Sequence, residues 1–342
     1  MTQIAVLGAG SWGTALTVLL STKGYPVKLW VRSQATLDAI QAAGQNEQYL
    51  PGVMLPPAVK ITSNLEEALS GAELVVVVTP SHGVREIIKR AAPYLDEDKY
   101  IVSASKGIEV DSLLRMTEVI TAELPFQTER LAVLSGPNHA EEVGRGMPTT
   151  TVIAAGKKAV ADHLQDIFMT PTFRVYTNPD VVGVEMGGAL KNIIALGTGI
   201  ADGLNFGDNS KAALMTRGLA EITRIGTVMG ARPLTFAGLS GLGDLVVTCT
   251  SMHSRNRRAG IELGRGKKMA EVTAGTGMVV EGIRTTRAAY ALARKYGVEM
   301  PITEQIYKIL YEEKNPHVAV VDLMLRGKTH ETEEIVTGFV DW

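Results

Sequence analysis

Apolar positions in the first half of the chain gather into short, β-branched runs separated by stretches with a helical period. Ile4–Leu7, Val27–Val31, Leu74–Thr79, Tyr100–Ser103, Leu131–Leu134, Thr150–Ala154 and Phe173–Tyr176 read as strands. Gly13–Lys23, Gln34–Ala42 and Val84–Tyr94, lying between them, read as amphipathic helices. This alternation predicts a parallel, doubly wound sheet. The unbroken apolarity of Val75–Val78 fits a strand covered on both faces.

After about Asn178 the period becomes helical throughout. Val184–Gly199, Ser210–Met229, Thr285–Tyr296 and Thr303–Glu312 are the expected helices. Asn209 is the expected cap of the second and Gly230 its stop, while Gly297 and Pro301 punctuate the end of the third. The reading is an α/β N-terminal domain over residues 1–180 and a mostly α-helical C-terminal domain over 181–342.

A chain of 342 residues is long enough to give each half its own core. The net charge of −2 gives no reason to expect nucleic acid as a partner. Cys249, the single cysteine, excludes an internal disulfide framework and fits a reducing cytoplasm. The N-terminus has no cationic leader pattern, and no membrane insertion is expected. The stretch Met186–Ala201 comes closest, but it contains Lys191, Asn192 and four glycines.

The chemistry begins at Gly8-Ala-Gly-Ser-Trp-Gly13, which follows a predicted strand and opens a predicted helix. In that context Gly8 permits the tight turn, Gly10 lets a pyrophosphate approach the backbone, and Gly13 lets helix and strand pack closely. A dinucleotide-binding, Rossmann-type unit follows. At the end of the second strand, Leu29-Trp-Val-Arg-Ser33 offers no carboxylate for a ribose hydroxyl. Arg32 there could hold a 2′-phosphate or be an ordinary surface arginine. NADP(H) is favoured, with NAD(H) left open.

Lys191 is the only charged residue of Met186–Ile200, where lost hydration would lower its pKa and suit it to proton transfer. The competing reading is a lysine that snorkels to the surface. Lys106, in Ser103-Ala-Ser-Lys-Gly-Ile108, falls at the carboxyl end of a strand, where ligands collect in open α/β sheets. It could equally be a plain loop lysine. Ser135-Gly-Pro-Asn-His-Ala-Glu-Glu142 occupies an equivalent place, and its Gly-Pro could be turn chemistry alone. His139 reads as structural. Gly238–Leu245 is a glycine-spaced, flexible stretch that ends near Asp244. Ser254 can cap a helix whose first turn holds Arg255 and Asn256, giving either a phosphate site or a solvated basic face. No His, Cys and carboxylate spacing suggests a metal.

Taken in order, Gly-Ala-Gly-Ser-Trp-Gly-Thr-Ala at 8–15, Ser-Gly-Pro-Asn-His-Ala-Glu-Glu at 135–142, Ala-Leu-Lys-Asn at 189–192, Asn209–Gly218, Gly-Leu-Gly-Asp-Leu at 241–245 and Ser-Arg-Asn at 254–256 resemble the bacterial-type NAD(P)-dependent glycerol-3-phosphate dehydrogenases. The resemblance spans essentially the whole chain. It implies reversible reduction of dihydroxyacetone phosphate to sn-glycerol 3-phosphate, feeding phospholipid synthesis. It further implies that Lys191 exchanges the proton, Lys106 meets substrate and cofactor, and Asp244 orients substrate. By the same resemblance Ser254, Arg255 and Asn256 bind the phosphate end, with Gly136 and Asn138 lining the substrate site. Ser11, Trp12, Arg32, Ala140, Arg255, Val279 and Glu281 would join the glycines around the cofactor. A homodimer is the family's expected assembly. A β-hydroxy-acid or sugar-acid dehydrogenase, and a non-catalytic NADP(H)-binding sensor, are the alternatives.

Overall fold

The computed structural model describes residues 2–126, 129–276 and 279–328; the end of the expected second domain, 329–342, lies outside the described residues. Eight strands, β1 (Ile4–Leu7), β2 (Val27–Trp30), β3 (Lys60–Thr62), β4 (Leu74–Val77), β5 (Tyr100–Ser103), β6 (Leu131–Ser135), β7 (Thr149–Ala155) and β8 (Phe173–Asn178), form one sheet in the order β3-β2-β1-β4-β5-β6-β7-β8. The chain winds outward from β1 to β3 and then from β4 to β8, so β1 and β4 flank the point where the winding reverses.

Strand β1 shows why the sheet is doubly wound. All four of its residues are buried; Ile4 and Val6 join the core on one face, while Ala5 and Leu7 join that on the other. Period-two side chains thus feed two apolar layers.

One expectation about the sheet needs correction, and two elements were not expected. The sheet is not wholly parallel, because β6 and β7 pair antiparallel before β8 returns parallel to β7. The only helix between β6 and β7, Ala140–Gly144, has five residues, too short to carry the chain back along the sheet for a parallel crossover. Strand β3 and the helix Leu65–Leu69 also went unread; three residues at a sheet edge leave too little periodicity to detect.

The last strand ends at Asn178, and a 23-residue helix, Val181–Gly203, follows at once. Asp180 caps it by accepting from the Gly183 N–H at 2.9 Å. Every residue from Gly183 to Ala201 is buried, so this central helix is the axis of the second core. Around it pack Asp208–Val228, Asp244–Thr250, Arg255–Gly264, Glu281–Tyr296 and Pro301–Tyr311. Gly207, not Asn209, is the N-cap of Asp208–Val228, and Asn209 lies within its first turn. The stops at Gly230 and Gly297 hold, each with positive φ (97° and 66°). Among the described residues no single helix is long and apolar enough to cross a membrane.

Candidate active site

The glycine-spaced stretch expected to be flexible is instead a helical turn, Leu239–Gly243, running directly into the helix Asp244–Thr250. It is held by closeness: a Cβ on Gly187 of the central helix would stand 2.7 Å from the Ser240 carbonyl oxygen. That contact sets Asp244, 1% exposed, against Lys191, 7% exposed. Lys191 Nζ donates to Asp244 Oδ1 and, at 2.7 Å, to Thr248 Oγ1. Lys106 Nζ reaches the same carboxylate from the β5 loop, donating to Asp244 Oδ2 at 2.7 Å and to the Gly136 carbonyl at 3.1 Å.

Neither alternative reading survives for these two lysines: Lys191 does not snorkel, and Lys106 points into the cluster. Burial is the largest influence on Lys191 and lowers its pKa to about 8; Asp244 opposes that fall and Lys106 adds to it. Burial alone would raise Asp244, but Lys106 and Lys191 outweigh it and hold the carboxyl below its usual range. Two ammonium groups share one buried carboxylate, which leaves the cluster cationic and suited to an anionic ligand or a developing oxyanion. Burial, then the charge of Lys191, pushes His139 below the ordinary histidine value.

The helix start predicted at Ser254 also forms. Ser254 caps the helix Arg255–Gly264 by accepting from Arg257 N–H at 3.2 Å. Arg255 is exposed. Arg257 grips Asp202 at 2.8 and 2.7 Å. The Asn256 side chain is engaged at both ends: Nδ2 donates to Asn192 Oδ1 at 2.8 Å, and Oδ1 accepts from the Gly282 N–H at 2.8 Å. Asn138 is similarly tied, to the Thr150 carbonyl and the Thr151 hydroxyl, each at 2.8 Å.

At the switch point the glycine loop has the shape a dinucleotide requires. Gly8 has φ 124°, a conformation open to glycine, and a Cβ on Gly13 would lie 1.9 Å from the Gly8 oxygen. A Cβ on Gly10 would meet nothing within 4 Å, so the loop faces open space. The helix Ser11–Thr22 starts there with no side-chain cap, leaving its first N–H groups for an anion. The Ser11 hydroxyl donates to the Tyr49 carbonyl at 2.7 Å, Trp12 is half-buried, and Arg32 is exposed beyond β2. Ala140 is buried at the start of its short helix, and Val279 is half-buried just before the helix Glu281–Tyr296. Glu281 accepts two hydrogen bonds from Ser81, 200 positions away in the sequence. Among the described residues no cluster of His, Cys, Asp or Glu could hold a metal.

Sequence reasoning missed three residues here. Thr248 had a signal, since it lies one turn after Asp244 on the same helical face. Asn46, whose Nδ2 braces the loop at the Ala9 carbonyl and the Thr14 hydroxyl (2.8 Å each), and Ser81 had none.

Two family models match the chain, the NAD-dependent glycerol-3-phosphate dehydrogenase N-terminus over residues 3–161 and its C-terminus over 180–321. A glycerol-3-phosphate dehydrogenase (NAD(P)+) from Pelotomaculum thermopropionicum is 60% identical over 334 residues, covering 97% of this chain and 96% of the relative. The Bacillus subtilis protein of the same name is 51% identical over 340 residues, 99% of each chain. The crystal structure of glycerol-3-phosphate dehydrogenase from Coxiella burnetii superposes with TM-score 0.91 at 42% identity, covering 95% of this chain and 99% of that one.

Proposed function

The chain belongs to the NAD-dependent glycerol-3-phosphate dehydrogenase family, and from that premise we propose that it reduces dihydroxyacetone phosphate reversibly to sn-glycerol 3-phosphate through the Lys191–Asp244–Lys106 cluster. The observation that carries this reading is the buried carboxylate shared by two lysines. A bound nicotinamide dinucleotide supplies or accepts the hydride. The chain's own residues bind and orient the ketone and move the proton. As negative charge develops on the C2 oxygen, the Lys191 ammonium stabilises it and donates a proton. Asp244 keeps that ammonium in place, and Lys106 adds a second positive charge at the same centre.

The phosphate end of the substrate is assigned to the turn at 254–256. Ser254 and Asn256 have side chains that shape the fold, so their contribution is the capped helix start and its N–H groups, with Arg255 as the cation. Gly136 and Asn138 hold the adjoining wall. Gly8, Gly10, Ser11, Trp12, Gly13, Arg32, Ala140 and Val279 surround the dinucleotide. Arg32 favours NADP(H) over NAD(H). Residues 1–180 would bind the dinucleotide and 181–342 the substrate, in a cytoplasmic homodimer whose product feeds phospholipid synthesis.

The test is oxidation of NADPH and NADH by the purified protein with dihydroxyacetone phosphate, set beside keto acids as competitors. Turnover of the phosphate ester is expected. Turnover of a keto acid alone would move the protein to the hydroxy-acid dehydrogenases, and binding without turnover to the sensors.

A further inference from the structure

Glu281 stands at the start of the helix Glu281–Tyr296, yet its carboxylate is committed to the turn after β4, in the first half of the chain. Oε1 accepts from the Ser81 backbone N–H at 3.0 Å, and Oε2 from the Ser81 hydroxyl at 2.6 Å. Ser81 is 3% exposed and opens the short turn after β4. Gly107, next to Lys106, rests directly on it: a Cβ at Gly107 would lie 2.5 Å from Ser81 Cβ and 3.4 Å from Glu281 Oε2. On the other side of the clasp, the Gly282 N–H is held by Asn256, Asn256 by Asn192, and Asn192 adjoins Lys191. Lys191 and Lys106 then meet on Asp244. These contacts close a ring around the reacting centre, and Ser81 is its only member from the β4 loop.

We propose that Ser81 is a positioning residue: clasped by Glu281 from the helical half, it props Gly107 and so sets Lys106 on Asp244. The inference rests on the reductase reading given above, but the clasp itself is a property of the free protein. Three substitutions probe it by different routes. Ser81→Ala removes the hydroxyl and keeps Cβ, Glu281→Gln keeps shape and removes charge, and Gly107→Ala pushes the loop off Ser81.

Each variant is expected to lower kcat/KM for dihydroxyacetone phosphate about tenfold, and Ser81→Ala with Glu281→Gln about tenfold rather than a hundredfold, because the pair acts through one contact. Amide exchange of residues 104–109 in the free protein should quicken in all three. Lys191 is faced by Asp244, Lys106, Cys249 and His139. Withdrawal of Lys106 leaves Asp244 to Lys191 and removes a repelling charge, so the pH above which reduction declines should rise. Parent-like exchange of that loop, an unmoved pH limb, or multiplying losses in the double variant overturns the proposal. If Ser81→Ala does not fold, Glu281→Gln and Gly107→Ala decide it. A parent inactive on dihydroxyacetone phosphate, with faster loop exchange in the variants, would sink the reductase reading while sustaining the clasp.

Discussion

A lysine ammonium taken out of water is costly unless a counter-charge receives it, and that tension governs Lys191. With its pKa lowered to about 8 by burial, Lys191 is protonated through neutral pH and deprotonated within reach above it. As an acid in ketone reduction it must carry the proton, so kcat/KM for reduction should be level below about pH 8 and fall above it. Oxidation of the alcohol requires the free amine and should rise across the same interval. Steady-state profiles in both directions check the sign; parallel limbs would remove Lys191 from the proton step. Lys191→Ala should lower kcat/KM by about 10²–10⁴, the range of a lost general acid, with NADPH binding retained. Asp244→Asn makes the opposite case to loss of the Ser81 clasp. It deletes the charge that supports the protonated lysine and leaves Lys106 repelling it, so the reduction limb should move to lower pH.

At the scale of elements, the turn at 254–256, proposed to hold the phosphate, is placed by glycine. The central helix and the helix Arg255–Gly264 touch through backbone: a Cβ on Gly199 would lie 2.1 Å from the Arg257 oxygen, one on Gly260 2.2 Å from that of Leu196, and one on Gly264 2.4 Å from that of Ile200. Gly260→Ala must push the helices apart, which costs about 1–3 kcal/mol of stability by overpacking. Because Ser254–Asn256 open the displaced helix, KM for dihydroxyacetone phosphate should rise more than KM for NADPH; equal changes would mean the turn does not hold the phosphate.

A second element joint is titratable. Glu221, 2% exposed, accepts from the Thr303 N–H at 3.1 Å and its hydroxyl at 3.0 Å, fastening the start of Pro301–Tyr311. Burial raises its pKa from 4.5 to about 7, so the folded state binds more protons than the unfolded state between those values. Stability from this group is therefore greatest below the lower value and declines as pH climbs towards the upper one. Glu221→Gln should flatten that part of the Tm-against-pH curve. An unchanged slope would refute the assignment.

Across the whole molecule, what could be read in the sequence follows from how local each signal is. Strand β1, its glycine loop and Lys191 were legible, because periodicity, turn geometry and a charge among apolar neighbours are all encoded within a dozen or so residues. The direction of β7 was not, since it depends on where a chain returns, and the edge strand β3 was not, since three residues carry too little periodicity. The paired glycines were visible at spacing four, at 199 and 203 and at 260 and 264, but only the fold shows that they face each other. Ser81 and Glu281 lie 200 positions apart, beyond any local pattern.

That division bears on cofactor choice, where Arg32 is exposed at the mouth beyond β2 and the glycine loop opens toward space. A ligand that binds only the folded state raises its stability by about 2.7 kcal/mol at a hundredfold excess over Kd. Both dinucleotides can use the helix start at Ser11, and in the proposed reading the 2′-phosphorylated one would also give Arg32 an anionic partner. NADPH should therefore raise Tm more than NADH at equal concentration. Arg32→Ala should shrink the NADPH shift towards the NADH shift, leaving the latter and turnover at saturating NADH intact. Calorimetry with both dinucleotides on both proteins measures this, and equal losses for the two would place the origin of cofactor choice elsewhere than Arg32.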